Sequence, residues 1–280
     1  MLRAFVIAAA IWVSVVTMCG LSHATPTSPA SGKFLFIAYG DTRSNAIEHQ
    51  KVVNFIVSLK PQFVLQTGDL VDDGNNQDEW RQFDQITAPL RAAHIAYYPA
   101  RGNHDLGPYY VKRVTEPFDS GNGYYYAFTR KGIRFIAVDC FEPFDPGTDQ
   151  YEWLETQLQE AKGKTVIVFF HESPFSVGPH GSNFEVQAAL HPLFVKYRVP
   201  LVFAGHDHLY YRTIRDGVTY IVTGGGGADL YLATNTQYAI PGDVYKTTYH
   251  IVRCDVTPST IVLTALTPDG EQIDKLTVKR

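Results

Sequence analysis

Two histidines separated by one residue follow an apolar run late in the chain. His206 and His208 come after residues 200–204, Pro-Leu-Val-Phe-Ala, with a glycine between that run and the first histidine. An apolar run of this kind indicates a buried strand, and in an extended backbone residues two apart face the same side, roughly 7 Å apart. Imidazole is the commonest metal-ligating side chain. The pair is consistent with a metal site and equally with an ordinary loop that contains two histidines.

Further metal-ligand side chains lie at or just after the ends of other apolar runs. These residues are Asp41, Asp69, Asn103 and His171. Each one alone has a structural explanation, since aspartate caps helices, asparagine forms turns and a core histidine can be satisfied by neighbours. A shared site explains all five strand ends at once, whereas coincidence would have to act independently at each of them.

The segments that carry these residues alternate between strand and helix patterns. Strands are predicted at residues 34–39, 63–65, 95–98, 165–170 and 200–204, and helices at residues 47–59, 77–91, 150–161 and 184–197. Such alternation predicts βαβ units and an α/β fold. In an open α/β sheet the ligand site lies beyond the carboxyl ends of the strands, so the polar residues at those ends are expected to meet.

The remaining predicted elements are β-strands. Residues 123–128 and 133–138 flank a Lys-Gly turn and predict a hairpin. Antiparallel strands are predicted at residues 220–223, 249–255, 261–264 and 272–278. Four glycines at residues 224–227 form a turn where the backbone can approach a ligand closely. No repeat or linker interrupts the sequence, which predicts one domain over residues 34–280 after a flexible lead-in at residues 25–33.

A targeting segment is predicted before that domain. Arg3 is the only charge ahead of an apolar run at residues 4–16, and Ser-His-Ala at residues 22–24 has the pattern of a cleavage site. The apolar run is shorter than the about 20 residues that span a membrane. We therefore expect a signal peptide over residues 1–24, export to the periplasm or the medium, and no membrane attachment after cleavage. Cys19 follows a methionine, which disfavours a lipid anchor.

The composition narrows the class of protein. The chain has 280 residues, of which 45% are hydrophobic, and a net charge of −4 with no basic block. A nucleic-acid partner is therefore not expected. Cys140 and Cys254 remain after cleavage. Export permits a disulfide between them, and two buried free thiols are the other interpretation.

Together, these motifs resemble those of the calcineurin-like metallophosphoesterases. The matching residues in chain order are Gly40, Asp41, Gly68, Asp69, the Gly-Asn-His-Asp run 102–105, His171 and the Gly-His-Asp-His run 205–208. The last two runs in this order are a highly specific combination, and the similarity extends from about residue 34 to the C-terminus. Pro174 and the later glycines are most similar to the purple acid phosphatase-like branch. The resemblance implies a four-layer sandwich of two mixed β-sheets flanked by helices.

The resemblance also implies a function and two metal ions, which would be Fe, Mn or Zn. The protein would hydrolyse small phosphate monoesters or diesters, nucleotides among them, with a metal-bound hydroxide as nucleophile. Asp69 would bridge the two ions, because a carboxylate can bridge two cations. Two ions about 3.5–4 Å apart would clamp the attacking and leaving oxygens of an in-line displacement. The other ligands would be Asp41 and His208 on the first ion, and Asn103, His171 and His206 on the second.

Three further residues are implied to act on the substrate. His104 would stand beside the phosphate, and Asp105 would orient its ring. In purple acid phosphatases a second histidine lies nine residues after the ligand that corresponds to His171, and that position here is His180. His180 would contact phosphate or donate a proton to the leaving group. Asp139 is expected to support the fold rather than bind metal.

One position departs from the family pattern. Most members have Asp-x-His at the first motif, where this chain has Arg43, and guanidinium has no lone pair for a metal. Purple acid phosphatases use a tyrosine three residues after the bridging aspartate, where this chain has Asp72. We therefore predict that Asp72 completes the first metal site. Arg43 would hold phosphate oxygens as a fork or form an ion pair with a nearby carboxylate.

Two functions from different classes follow. The first is an exported two-metal phosphoesterase. The second is a phosphate- or metal-binding module with lost or weak turnover, because Arg43 replaces a ligand. An exported nuclease is a third interpretation, but it needs a basic groove that the acidic composition does not supply.

Overall fold

The structure, a computed structural model, describes Met1 and residues 32–280. The predicted signal peptide, apart from Met1, and most of the predicted lead-in lie outside the described residues. Residues 32–280 lie in one compact unit. Within the described residues, none of the helices is both long enough and apolar enough to cross a bilayer.

Two β-sheets run through this unit. The first has six strands in the order β14 (Gln272–Lys279), β13 (Thr260–Leu266), β12 (Ile251–Val256), β1 (Phe34–Tyr39), β2 (Phe63–Gln66) and β3 (Ala96–Pro99). The second has eight in the order β11 (Val244–Lys246), β9 (Tyr210–Arg215), β10 (Val218–Thr223), β8 (Leu201–Gly205), β7 (Thr165–Glu172), β6 (Ile133–Ala137), β5 (Tyr126–Arg130) and β4 (Ser120–Gly121). The central strands β1–β2–β3 and β6–β7–β8–β10 are parallel, and antiparallel strands flank them. Both sheets are therefore mixed, as predicted.

The helices cover the outer faces of the two sheets. They are α1 (Ala46–Leu59), α2 (Gln77–Ile86), α3 (Ala88–Ala92), α4 (Asp149–Glu160) and α5 (Phe184–Lys196). α1 and α3 pack on the first sheet, through Val53 and Leu90 among others, and α4 and α5 pack on the second. A third apolar cluster joins the inner faces of the two sheets. The predicted α/β four-layer sandwich is confirmed.

Polar side chains begin most of these helices. Asn45 accepts a hydrogen bond from Glu48 N at the start of α1, and Asn183 accepts one from Val186 N at the start of α5. Such caps satisfy backbone donors that have no partner within the helix. The helix predicted over residues 77–91 divides at Thr87, because Pro89 has no N–H to continue the hydrogen-bond ladder.

The structure departs from the predicted β region in its pairing. β10 was expected among antiparallel strands, but it pairs parallel to β8 and antiparallel to β9. β9 and β11 were not predicted as strands. The hairpin of β5 and β6 is confirmed. Parallel pairing with β8 places the glycine turn at residues 224–227 at the same sheet edge as His206.

The two cysteines of the predicted domain do not form a disulfide. Cys140 and Cys254 are both free thiols, and Cys254 is fully buried in the core between the sheets. Burial raises the pKa of both thiols well above its ordinary value. Of the two interpretations of these cysteines, the structure has the free thiols.

Candidate metal centre

Three of the predicted ligands turn sharply away from their strands. Asp41, Asp69 and His206 follow β1, β2 and β8, and their φ angles are 58°, 57° and 74°. A positive φ is uncommon outside glycine and tends to occur at functional sites, where the surrounding structure fixes it. Here it directs one side chain from each strand end toward a common point between the two sheets.

Hydrogen bonds lock these turns to one another. Asp41 N donates to Gly68 O at 2.9 Å, which joins the turns after β1 and β2. His206 N donates to the Asp41 carboxylate at 3.0 Å and 3.1 Å, which joins the first sheet to the second. The approach is close enough that a Cβ on Gly205 would lie 2.4 Å from Asp41 Oδ2. The strand ends thus form one rigid assembly.

A first group of ligand atoms surrounds the ring of His171. His171 Nδ1 donates to Thr67 O at 2.9 Å, so its Nε2 presents a lone pair. That Nε2 lies 2.9 Å from Asn103 Oδ1, 3.1 Å from His206 Nδ1 and 3.4 Å from Asp69 Oδ1. Lone pairs this close repel one another unless a proton or cation lies among them. The set fits the second predicted metal ion.

A second group of ligand atoms is formed by Asp41, Asp69 and His208. One ligand atom from each lies within 4.8 Å of the others, and all three residues are buried. His208 Nε2 lies 3.6 Å from Asp41 Oδ1. Asp69 belongs to both groups, so its carboxylate lies where the two groups meet. Imidazole with carboxylate oxygen suits Zn, Mn or Fe.

The electrostatics of the centre favour cations. Burial, and then repulsion from Asp69, raises the pKa of Asp41 well above its ordinary value. Burial alone would raise the pKa of Asp69 as well, but the proximity of His171, His104 and Arg43 lowers it. Burial lowers the pKa of His206 to about 2, which keeps that imidazole neutral and able to ligate. A cation would compensate the paired buried carboxylates.

His208 is held by a segment that sequence reasoning missed. Its Nδ1 donates to Asp229 O at 2.6 Å, so Nε2 faces Asp41 and Asp69. The ring of Tyr231 stacks on the His208 ring at 4.0 Å, and Tyr231 N donates to His208 O at 3.0 Å. Contacts of this kind fix the tautomer and orientation of a ligand. Tyr231 lies in an irregular segment, where no motif or periodicity marked it.

Asp105 has a different role from the one expected. Its buried carboxylate accepts hydrogen bonds from Asp69 N at 2.9 Å, Leu70 N at 2.8 Å and Gly102 N at 2.8 Å. It therefore clamps the backbone of the bridging aspartate. The His104 ring is oriented instead by Asp72 O, which lies 2.7 Å from His104 Nδ1. The His104 side chain is 30% exposed.

Arg43 pairs with two carboxylates at the edge of the centre. Its Nε donates to Asp69 Oδ2 at 3.1 Å, and its Nη1 donates to Asp72 Oδ1 at 2.7 Å. Asp72 lies outside the buried ligand group and its side chain is 53% exposed. The structure thus places Asp72 on the guanidinium rather than among the ligands of the first ion. Of the two interpretations of Arg43, the ion pair is present.

His180 lies over the same centre. Its ring centroid is 4.0 Å from that of His206 and 5.5 Å from that of Tyr231, and the residue is exposed. It therefore faces the space above the ligands, as a residue that contacts substrate would. Asp139, by contrast, forms a buried ion pair with Arg101 at 2.6 Å, consistent with the expected structural role.

Comparison with known proteins relates this geometry to a family. The sequence model for calcineurin-like phosphoesterases matches residues 34–210. A probable purple acid phosphatase 20 of Arabidopsis thaliana is 30% identical over 241 residues, which are 74% of this chain and 55% of that protein. A tartrate-resistant acid phosphatase type 5 of Oryctolagus cuniculus is 24% identical, with 83% and 82% covered. The chain spans about half the length of the plant relatives it matches.

Solved structures share the fold. A purple acid phosphatase from seeds of yellow lupin, Lupinus luteus, superimposes with a TM-score of 0.75 at 20% identity, over 89% of this chain and 54% of that one. At this identity the likeness shows the fold alone, and the family match supplies the relationship. The chain therefore belongs to the calcineurin-like phosphoesterases, and its relatives place it on their purple acid phosphatase-like branch.

Proposed function

We propose that this protein hydrolyses small phosphate esters with two metal ions held at the strand ends. The observation that carries the proposal is the convergence of His171 Nε2 with Asn103 Oδ1, His206 Nδ1 and Asp69 Oδ1 at 2.9, 3.1 and 3.4 Å. The second group, which shares Asp69, would hold the other ion. Ions bound there would supply Lewis-acid activation of the phosphoryl group and of the attacking water.

The chain's own residues would bind and orient the ester. Arg43 donates through Nε and Nη1 to carboxylates at the edge of the centre, where its guanidinium charge would also attract a phosphate oxygen. His104 presents Nε2 because Asp72 O occupies its Nδ1. His180, which is exposed and lies 4.0 Å from the His206 ring, would protonate the leaving oxygen.

Metal analysis combined with an activity panel tests the proposal. The purified protein would be assayed with p-nitrophenyl phosphate, bis-p-nitrophenyl phosphate and nucleotides, with Mn, Zn, Fe and Mg added separately. We expect two bound ions and turnover of at least one ester. His171→Ala should lose metal and lower kcat/KM by at least about 100-fold. His191→Ala is the matched control, because it alters a histidine on α5 that pairs with Asp216. This variant should keep both the bound metal and the activity.

A second candidate function follows from the position of Arg43. Its Nε donates to Asp69 Oδ2, one of the two carboxylate oxygens of the residue that both ligand groups share. A fixed guanidinium charge there opposes a second cation, so a one-ion protein with weak turnover is the alternative. Arg43→His separates the two candidates. A rise from one bound ion to two, with a gain in turnover, supports the second, whereas two ions in the wild type support the first.

We also propose that the protein is exported. The support is the pattern of Arg3, the apolar run at residues 4–16 and the small residues at 22–24. Mass spectrometry of protein expressed with its own N-terminus should find a chain that begins at Thr25 in the periplasm or medium. An uncleaved chain in the cytoplasm would contradict the proposal.

A further inference from the structure

Asp207 lies between two metal-ligand histidines, yet its carboxylate contacts a different segment. The residue is only 1% exposed. It does not belong to the buried ligand group of Asp41, Asp69 and His208 in the described part of the chain. A buried carboxylate is costly unless it is hydrogen-bonded. Its partners therefore indicate what it does.

The partners all come from the segment between β7 and α5. Ser176 Oγ donates to Asp207 Oδ2, and His180 N donates to Asp207 Oδ1 at 3.0 Å. The segment wraps so closely that a Cβ on Gly178 would lie 2.2 Å from Asp207 Cγ. The carboxylate thus sits inside a concave turn of residues 176–180.

The same turn carries His180 over the metal centre. His180 N is bonded to Asp207, and Asp207 lies between His206 and His208 in the sequence. The backbone that carries the His180 ring is therefore tied to the segment of the two histidines. The ring lies 4.0 Å from the His206 ring. On the other side of the turn, Asn235 Nδ2 donates a hydrogen bond to Gly178 O at 2.6 Å.

We propose that Asp207 is a positioning residue for His180, coupling the turn at residues 176–180 to the metal-ligand strand end. The part of the proposal that concerns catalysis rests on the proposed function, in which His180 acts on the ester. The positional part rests only on the contacts of the Asp207 carboxylate. Loss of that carboxylate should therefore release the His180 ring without removing a metal ligand.

A double-mutant cycle tests the catalytic part. Asp207→Asn should lower kcat about 10- to 100-fold with a smaller change in KM. In a His180→Gln background the same substitution should lower kcat by less than about 2-fold, because residues that act as one unit are not additive. Equal losses in both backgrounds, or loss of bound metal in Asp207→Asn, would overturn the proposal. Asp216→Asn, an exposed carboxylate, is the control for a lost charge.

A spectroscopic readout separates this proposal from the proposed function. In zinc-loaded protein labelled at histidine and tyrosine, a nuclear Overhauser contact between the His180 and Tyr231 rings is expected from their 5.5 Å separation. Asp207→Asn should abolish it. If the wild type has no turnover but the contact depends on Asp207, the proposed function fails and the positioning stands. If the contact persists in the variant, the positioning fails.

Ser176→Ala is a milder variant in case Asp207→Asn does not fold. It removes one donor to the carboxylate and leaves the metal-ligand strand untouched. Ser176 Oγ also accepts a hydrogen bond from Gly178 N at 3.2 Å, so two bonds of the turn are lost. We expect a loss of kcat of about 2- to 10-fold and a weaker Overhauser contact. Unchanged kcat and an unchanged contact would overturn the proposal.

Discussion

His208 shows how a predicted metal ligand depends on residues that are distant in sequence. Its ring is oriented by Asp229 O at Nδ1 and by the stacked ring of Tyr231. Neither neighbour is a metal ligand, but together they determine which nitrogen faces Asp41 and Asp69. The affinity of the first metal position should therefore respond to a residue 23 positions after its histidine ligand.

Replacement of Tyr231 tests this dependence. Tyr231→Ala removes the stacked ring, and we expect metal affinity at one of the two positions to fall about 10- to 100-fold. Tyr231→Phe keeps the ring and should retain the metal. Isothermal titration of metal-stripped protein with Zn or Mn measures both variants. Equal affinity in the alanine variant and the wild type would contradict the assigned role.

For individual site residues, the sequence predicted the residue types better than it predicted their hydrogen-bond and ion-pair partners. The six ligand positions follow from strand ends and family motifs, and the structure brings all six together. An ion pair was one of the two interpretations of Arg43, but its partner Asp72 was not predicted, and neither was the clamp formed by Asp105. Both depend on how separate loops approach one another, which neither spacing nor periodicity encodes.

Strand ends set the position of the ligands through close backbone approach. At the end of β8, a Cβ on Gly205 would lie 2.4 Å from Asp41 Oδ2 and 2.8 Å from Thr67 Oγ1. No side chain fits there unless β8 moves away from β1 and β2. The spacing of the two sheets at the metal centre thus depends on the absence of a side chain at this residue.

Gly205→Ala should separate the two groups of ligands while the fold persists. We expect less bound metal, with kcat/KM lowered at least about 10-fold, because the Asp41 carboxylate must shift. Circular dichroism would confirm folding, and mass spectrometry of metals would report occupancy. Full occupancy together with unchanged activity would show that the strand end tolerates a methyl group.

A buried histidine next to β12 makes the fold sensitive to acid. His250 is fully buried, its Nδ1 bonds Thr248 O at 2.8 Å, and burial lowers its pKa from 6.5 to about 4. In the unfolded chain the imidazole binds a proton at higher pH than in the folded chain. Stability is therefore present above pH 6.5 and is lost as the pH falls toward 4.

His250→Gln should reduce this acid sensitivity. Between neutral pH and about pH 4.5, the wild type should lose about 2–3 kcal/mol more free energy of unfolding than the variant. Urea unfolding at both pH values measures the free energy of unfolding of each protein. Any destabilisation by the substitution that is equal at the two pH values cancels in this comparison. His94→Asn, at an exposed histidine, is the control and should change the pH dependence little. Parallel curves for wild type and His250→Gln would contradict this prediction.

Most elements were predicted to within two residues at their ends, and the exceptions have physical causes. Pro89 divides the predicted long helix at Thr87. β9 was missed because its buried tyrosines directly follow the histidine motif, with no turn signal before them. The parallel pairing of β10 is a tertiary property that apolar alternation does not reveal.

At the scale of the whole domain, aromatic packing between the two sheets stabilises the fold. Phe36 on β1 stacks on Phe63 of the same sheet at 5.2 Å and meets Phe135 and Phe203 of the other sheet at 5.5 Å and 6.3 Å. Because one ring contacts both sheets, they are expected to unfold together. The metal centre, built from both sheets, should be lost in the same transition.

Phe36→Ala tests that coupling. We expect destabilisation of about 3–5 kcal/mol and a single urea transition that coincides by circular dichroism and by fluorescence. Phe184→Ala, at a ring that is 66% exposed, is the matched control and should stay within about 0.5 kcal/mol of the wild type. Two separate transitions would show that the sheets fold independently.

The free cysteines offer a way to measure when the domain unfolds. Neither Cys140 nor Cys254 needs an oxidant, so folding of the described domain does not depend on the redox state of the compartment. Cys254 is fully buried and burial raises the pKa of its thiol, so alkylating reagents should modify it only when the chain opens. The rate of alkylation at Cys254, read by mass, would therefore time the opening of the domain without any engineered label.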